Sequence, residues 1–232
     1  MTAILSNLQA TREAIAQAAQ VAQRDVADVR LLAVSKTFPA DAVREACRGG
    51  QTAFGENYLQ EALEKMDALR DLPLEWHFIG PIQSNKTRAI AENFAWVHSV
   101  DRLKIAERLS AQRPPQLPPL NICLQVNVSG EESKSGAAPE AVPQLAREIA
   151  RLPQLKLRGL MTIPAPATDE MAQRAPFAQM RALLVKLNFQ GMALDTLSMG
   201  MSHDYAAAIL EGATIVRIGS AIFGVRDYGE HK

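Results

Sequence analysis

Cysteine is scarce in this chain, aromatic residues make up only 5% of it, and neither sign of charge is in excess, since Lys+Arg and Asp+Glu each number 25. Each shortage excludes something. Two cysteines, Cys47 and Cys123, lie far apart and outside any metal-ligand spacing, so they read as free thiols in a reducing compartment rather than as a disulfide framework. The balanced charge provides no basic stripe for nucleic acid and leaves room only for a small local anion site. Charged residues interrupt every long apolar run, and the opening MTAILSNLQATREAIAQAAQ has no cationic stretch ahead of an apolar core. Neither a spanning helix nor a signal peptide is expected, and the reading is a soluble, cytoplasmic protein with no membrane partner. The histidines show no HxxxH spacing, so no metal site is expected either.

What is present is apolar material and a repeating rhythm. A hydrophobic fraction of 47% over 232 residues is ample for one large core, and the length suits a single α/β barrel. A helical pattern from about Ala3 to Gln23 comes first, with Ile4, Leu5, Leu8, Ile15 and Val21 recurring among polar residues. Short apolar runs of strand length then alternate with helical stretches. The runs are LLAVSK (31–36), TAFGE (52–56), EWHFIG (75–80), AWVHSV (95–100), LNICLQVNV (120–128), LKLRGLMTI (155–163), TLSMGM (196–201) and IVRIGSAIFG (215–224). Pro39 is placed at the start of the first of these helices, and Ser84 is a candidate N-cap for a later one. Such alternation predicts parallel strands with right-handed crossovers, and eight units close naturally into a (β/α)8 barrel that leaves no edge strand. A doubly wound open sheet is the alternative. No composition break marks a second domain, so residues 1–232 read as one.

In such barrels functional groups gather at the C-terminal mouth, where strands pass into loops. Lys36, Asn57, Asn127, Ser198 and Ser220 all occupy that position. Lys36 follows an apolar strand directly; partly desolvated, its amine can attack an aldehyde to form a Schiff base, although a solvated lysine would fit the position as well. The loops after strands seven and eight often bind phosphate, and here each pairs a hydroxyl with a glycine, Ser198 with Gly200 and Ser220 with Gly219. Arg217 lies inside the eighth apolar run, and alternation puts it on one face with Gly219. A barrel-facing arginine needs acceptors, which either an interior carboxylate such as Glu56 or a bound ligand could supply. His77 reads as a hydrogen-bonded interior histidine, Met161, Met199 and Met201 as packing residues, and the stretch around Lys134 as a solvated loop.

The strings AVSKTF, FGENYLQE, WHFIGPIQSNK, VNVSGEESKSG, GLMTIP and LSMGMSHDYAAAILEGATIVRIGSAIFG, taken together, resemble the pyridoxal phosphate homeostasis protein family, whose members are similar to the N-terminal barrel of alanine racemase. The resemblance runs from Lys36 to Gly224 and implies a single TIM barrel of the fold type III class of pyridoxal 5′-phosphate (PLP) proteins, with an extra N-terminal helix. It implies PLP held as a Schiff base on Lys36, phosphate contacts from Ser198, the Met199 backbone, Gly219 and Ser220, and Arg217 at the pyridine nitrogen. Many members carry threonine where Ser220 stands, and serine keeps the hydroxyl. Asn57 would lie near the ring, and Lys134 matches a lysine with a secondary role in handling PLP.

The implied role is cofactor carriage or buffering, with no catalytic residue assigned. PLP enzymes that use the ring as an electron sink keep its nitrogen protonated with a carboxylate, whereas an arginine there disfavours a second cation. Racemases similar to alanine racemase take a tyrosine base from a second domain of a partner subunit. This sequence ends a few residues after Gly224, and Tyr58, Tyr205 and Tyr228 have no obvious claim to that role. The expectation is a monomer with an open mouth, serving PLP-requiring apoenzymes. A small PLP-dependent amino-acid racemase is the main alternative. A PLP-independent isomerase or aldolase using Lys36 differently is the third.

Overall fold

The structure is a computed structural model that describes residues 2–130 and 135–224. Lys134 and Tyr228 therefore lie outside the described residues. Eight strands, β1 (Arg30–Val34), β2 (Ala53–Glu56), β3 (Glu75–Phe78), β4 (Trp96–Val100), β5 (Leu120–Gln125), β6 (Leu155–Met161), β7 (Thr196–Ser198) and β8 (Ile215–Ile218), run parallel and close in sequence order into a barrel. Closure is made by β8 against β1, with Leu32 opposite Arg217 and Ala33 opposite Ile218. The open-sheet alternative is excluded. Helix α1 (Ala3–Val21) precedes the barrel as expected and is tied to its far end by Asn7, whose Nδ2 donates to the Ile222 carbonyl at 3.1 Å.

Both faces of these strands are buried, which is why they read as apolar runs instead of alternating ones. The inward set includes Leu32, Val34, Ala53, Ile79, Trp96, Cys123, Met161 and Ile215. The outward set, with Ala33, Phe54, Phe78, Val97, Ile122 and Leu160, meets the helical ring. That ring comprises α2 (Ala40–Arg48), α3 (Leu59–Ala68), α4 (Thr87–Asn93), α5 (Leu103–Gln112), α6 (Val142–Ile149), α7 (Glu170–Phe189), α8 (Tyr205–Leu210) and α9 (Ser220–Phe223). Helix α7 carries Pro176 in its interior yet continues, its start capped by Asp169 accepting from the Ala172 amide at 2.9 Å.

Several boundaries differ from the sequence reading. The eighth apolar run was expected to be one strand to Gly224, but β8 stops at Ile218 and Ser220–Phe223 turn into α9. A short apolar run cannot by itself tell a buried strand from a buried helix, and Ile222 and Phe223 are buried as helix residues. β7 likewise ends at Ser198, three residues before the expected Met201. Ser84 begins a 3-10 turn (Ser84–Lys86) and does not cap α4, and Pro39 stands just before α2 instead of inside it. Both cysteines are free, and burial pushes the Cys123 thiol up to about 12, which makes it inert.

One glycine decides how closely two strands approach. A Cβ on Gly159 would lie 1.8 Å from the Thr196 carbonyl oxygen across the β6–β7 ladder. We expect Gly159→Ala to destabilise the barrel by about 2 kcal/mol or more, measured by urea denaturation. An unchanged midpoint would show that the ladder can widen without penalty.

Candidate functional site

At the C-terminal mouth lies a cavity of about 400 Å³ lined by Val34, Lys36, Asn57, Ile79, Ile163, Met201, Ser202, His203, Arg217, Gly219 and Ser220. Apolar walls with a few convergent polar groups are the usual make-up of a small-molecule site. A groove of about 490 Å³ between α1 and α2 is larger, but apart from two arginines, a glutamine and a glutamate its lining is aliphatic or glycine. Among the described residues no cluster of histidine, cysteine or carboxylate side chains could hold a metal.

The segment that carries Lys36 is held from the outside of the barrel. Lys65, on α3 and almost fully buried, donates from Nζ to the Ser35 carbonyl at 2.7 Å, to Glu56 Oε1 at 2.8 Å and to Glu61. Ser35 Oγ donates to Glu56 Oε1 at 2.6 Å, and the Thr37 amide donates to Glu61 Oε1 at 2.6 Å. The residues on both sides of Lys36 are thereby fixed. Thr37 sits at φ 69°, a left-handed conformation in which a β-branched residue is strained, and its bond to Glu61 helps to keep it there. Burial raises the Glu56 carboxyl above its ordinary range, and Lys65 and Ser35 partly offset this.

Asn57 reaches the mouth because β3 gives way to a glycine. A Cβ on Gly80 would stand 2.1 Å from the Asn57 carbonyl oxygen, so only glycine lets the loop after β2 lie against it. Asn57 Oδ1 is itself buried, with no hydrogen-bond partner among the described residues. A buried amide oxygen in that state is normally satisfied by something that binds.

Arg217 points into the barrel, as alternation predicts, and is buried. The alternative of an ion pair with Glu56 is corrected: Glu56 faces outward to Lys65, and the acceptors for Arg217 are Ser198 Oγ and the Thr162 carbonyl, each at 2.8 Å. Burial brings the guanidinium down to about 10, so it stays protonated at neutral pH. Behind it, Ser198 Oγ is 2.8 Å from His98 Nδ1, His98 Nε2 is 2.9 Å from His77 Nδ1, and His77 Nε2 is 2.7 Å from Glu75 Oε1. His77 is thus the hydrogen-bonded interior histidine expected of it. Burial pushes both imidazoles below their ordinary value, His98 furthest, with His77 and Arg217 beside it adding to the effect. Glu75, bonded to His77 and to Arg30, is drawn down to about 2.

Of the residues singled out in the sequence, Lys36, Asn57, Arg217, Gly219 and Ser220 line the cavity. Ser198 and Met199 do not. Ser198 pairs in register with Ile215, two residues before Arg217 on β8, so its hydroxyl lies one layer deeper, between His98 and Arg217, while the Met199 amide is used in donating to the Ile215 carbonyl at 3.1 Å. The same loop instead brings Met201, Ser202 and His203 to the cavity, with Ser202 Oγ 3.4 Å from Ser220 Oγ. Sequence reading missed Ser202 and His203. The only signal was their membership of the loop after the seventh strand, and the strand was drawn three residues too long.

This geometry has close counterparts. Residues 6–227 match the family model of the alanine racemase N-terminal domain. A pyridoxal phosphate homeostasis protein of Pseudomonas aeruginosa is 66% identical over 229 residues, covering 99% of this chain and 98% of that protein. The chain belongs to the pyridoxal phosphate homeostasis protein family. A protein of unknown function from Bifidobacterium adolescentis, 34% identical, superposes with a TM-score of 0.90 over 95% of this chain and 94% of its own. PipY of Synechococcus elongatus, a family relative solved with PLP bound, is 40% identical, with a TM-score of 0.80 over 90% of this chain and all of its own. No described helix is long and apolar enough to cross a membrane.

Two outcomes test the framework of this family member's mouth. Lys65→Met strands the Glu56 carboxylate, and a loss of about 3 kcal/mol is expected at pH 8, smaller at pH 5 where Glu56 can take a proton, with Glu56→Gln restoring part of it. Equal losses at both pH values would mean the pair carries no buried charge. The second outcome concerns His77 and His98, held neutral in the fold. As pH falls below about 6.5 the unfolded chain binds protons that the folded chain does not, so stability declines by up to about 1.4 kcal/mol per pH unit for each histidine. His98→Gln should flatten that slope in urea titrations between pH 7 and 5.

Proposed function

We propose that this chain binds PLP at the barrel mouth, attached through Lys36, and carries or buffers the cofactor instead of catalysing with it. The observation that carries the reading is the convergence, in one cavity of about 400 Å³, of a half-buried lysine, a buried arginine and the two hydroxyls of Ser202 and Ser220. The residues fit the group. Asn57 Oδ1 is a buried acceptor at the lining with no partner among the described residues, and Gly219 and Ser220 stand in the lining where β8 gives way to α9. The relatives' names and the PLP in PipY support the same ligand.

When bound, PLP supplies an aldehyde that condenses with a primary amine, releasing water. In this reading Lys36 provides that amine, and the clamp through Lys65, Glu56 and Glu61 keeps its backbone in register with the cavity. Arg217 donates a hydrogen bond to the ring nitrogen, and Ser202, Gly219 and Ser220 take the phosphate, while Asn57 orients the ring edge. Sequence reasoning assigned Ser198 and Met199 to the phosphate; Ser198 is better assigned to holding Arg217.

Carriage is favoured over catalysis by the same arginine. A guanidinium that remains charged keeps the ring nitrogen from accepting a proton, which weakens the ring as an electron sink. Among the described residues no tyrosine lines the cavity: Tyr58 is exposed and Tyr205 packs against the core from α8. The reading has the protein act in the cytoplasm, as a monomer, delivering PLP to apoenzymes that require it.

The test is visible absorbance after incubation with PLP and removal of excess. Wild type should retain a yellow chromophore and Lys36→Ala should not; the same band in both would reject attachment at Lys36. Ser202→Ala with Ser220→Ala should weaken PLP binding about tenfold while leaving pyridoxal, which lacks the phosphate, nearly unaffected. Solvent-deuterium exchange into amino acids well above background would overturn the carrier reading in favour of a racemase.

A further inference from the structure

The polar groups inside the barrel form a continuous row from its N-terminal end to the cavity. Glu75 is the first residue of β3 and, with Arg30, stands partly exposed at that end. From it the row passes through His77, His98 and Ser198 to Arg217, each link between 2.7 and 2.9 Å.

The ends of this row fix its direction. An ionised carboxylate can only accept, and a guanidinium can only donate. Glu75 therefore requires a hydrogen on His77 Nε2. In a neutral imidazole the other nitrogen is bare, so His77 Nδ1 accepts from His98 Nε2–H. His98 Nδ1 is then bare in turn and accepts the Ser198 hydroxyl hydrogen, which leaves the Ser198 oxygen to accept from Arg217 Nη1. With both imidazoles neutral, no other assignment satisfies all four bonds. His77 is also stacked on Trp96, with ring centroids 5.4 Å apart and planes 5° from parallel, which hinders that ring from flipping to another partner. One proton added to either ring would reverse the bond between His98 and Ser198 and leave the Ser198 hydroxyl hydrogen without an acceptor in the row.

We infer that Glu75, at the opposite end of the barrel from the cavity, is a positioning residue for the Arg217 guanidinium and acts on it through His77, His98 and Ser198. The consequence for the ligand rests on the proposed contact between Arg217 and the PLP ring nitrogen. The row itself does not.

The test begins on cofactor-free protein labelled with ¹⁵N in histidine and arginine. Both imidazoles should be neutral at pH 7 and carry their hydrogen on Nε2. An imidazolium or an Nδ1–H form at either position in wild type overturns the assignment. Glu75→Leu should then disturb the His98 signals and shift the Arg217 side-chain resonances, whereas Glu75→Gln, which keeps an acceptor, should leave both near wild type. Changes confined to His77 in Glu75→Leu would reject the coupling. With PLP added, Glu75→Leu should weaken binding about threefold to tenfold and shift the absorbance maximum, with Glu75→Gln restoring both. Unaltered affinity and spectrum beside a shifted Arg217 would reject the positioning role. Failure of wild type to bind PLP would strike the proposed function alone, leaving the resonances to decide the row.

Discussion

Arg217 is almost fully buried, at the floor of the cavity, and a cation so placed needs acceptors aimed at its donors. Much of the interior follows from that requirement. Ser198 and the Thr162 carbonyl supply the first acceptors, His98 and His77 extend the path, and the balancing carboxylate of Glu75 stands where β3 begins. Leu32, Val34, Ala53, Ile79, Cys123, Met161 and Ile215 supply the apolar part of the inner layer, with Trp96 stacked on His77. The site is therefore continuous with the packing of the whole barrel.

The outer face of the same strands carries a second, separate polar group. Ser35 and Glu56 point away from the barrel axis toward α3, where Lys65 joins them to Glu61 and so to the backbone beyond Lys36. Because successive strand residues point to opposite sides, Lys36 and Arg217 can be held by two independent networks without competition for partners. One network secures the backbone that bears the amine, and the other orients the guanidinium across from it.

The barrel and its C-terminal mouth were legible in the sequence, since eight apolar runs alternating with helical stretches allow few other closures. So were Lys36, at a strand end, and Arg217, on the inward side of β8. The partners of those residues were not. Whether Glu56 faces in or out depends on strand phase, and the meeting of His77 with His98, or of Ser198 with Arg217, depends on register between strands far apart in sequence. Ser198 ends β7, as a strand-end residue should, but its register with Ile215 sets its hydroxyl one layer below the cavity lining, and register leaves no local pattern to read. The grip of Lys65 on Ser35 arises from helix packing and left no local pattern to read.

The row through the barrel has positive charge at the cavity and negative charge at the far end, and each hydrogen bond along it points the same way. The charge separation runs between the two ends of the barrel, and the hydrogen bonds, whose hydrogens all point toward Glu75, are polarised by it. The chain as a whole is uncharged, with 25 cationic and 25 acidic side chains, so its net charge cannot draw an anion from a distance. Arg217 does so locally, presenting its positive charge at the cavity lining within low-dielectric walls that concentrate the field there. A doubly negative phosphate ester entering the cavity would meet that charge there, while at the other end Glu75 is already paired with Arg30.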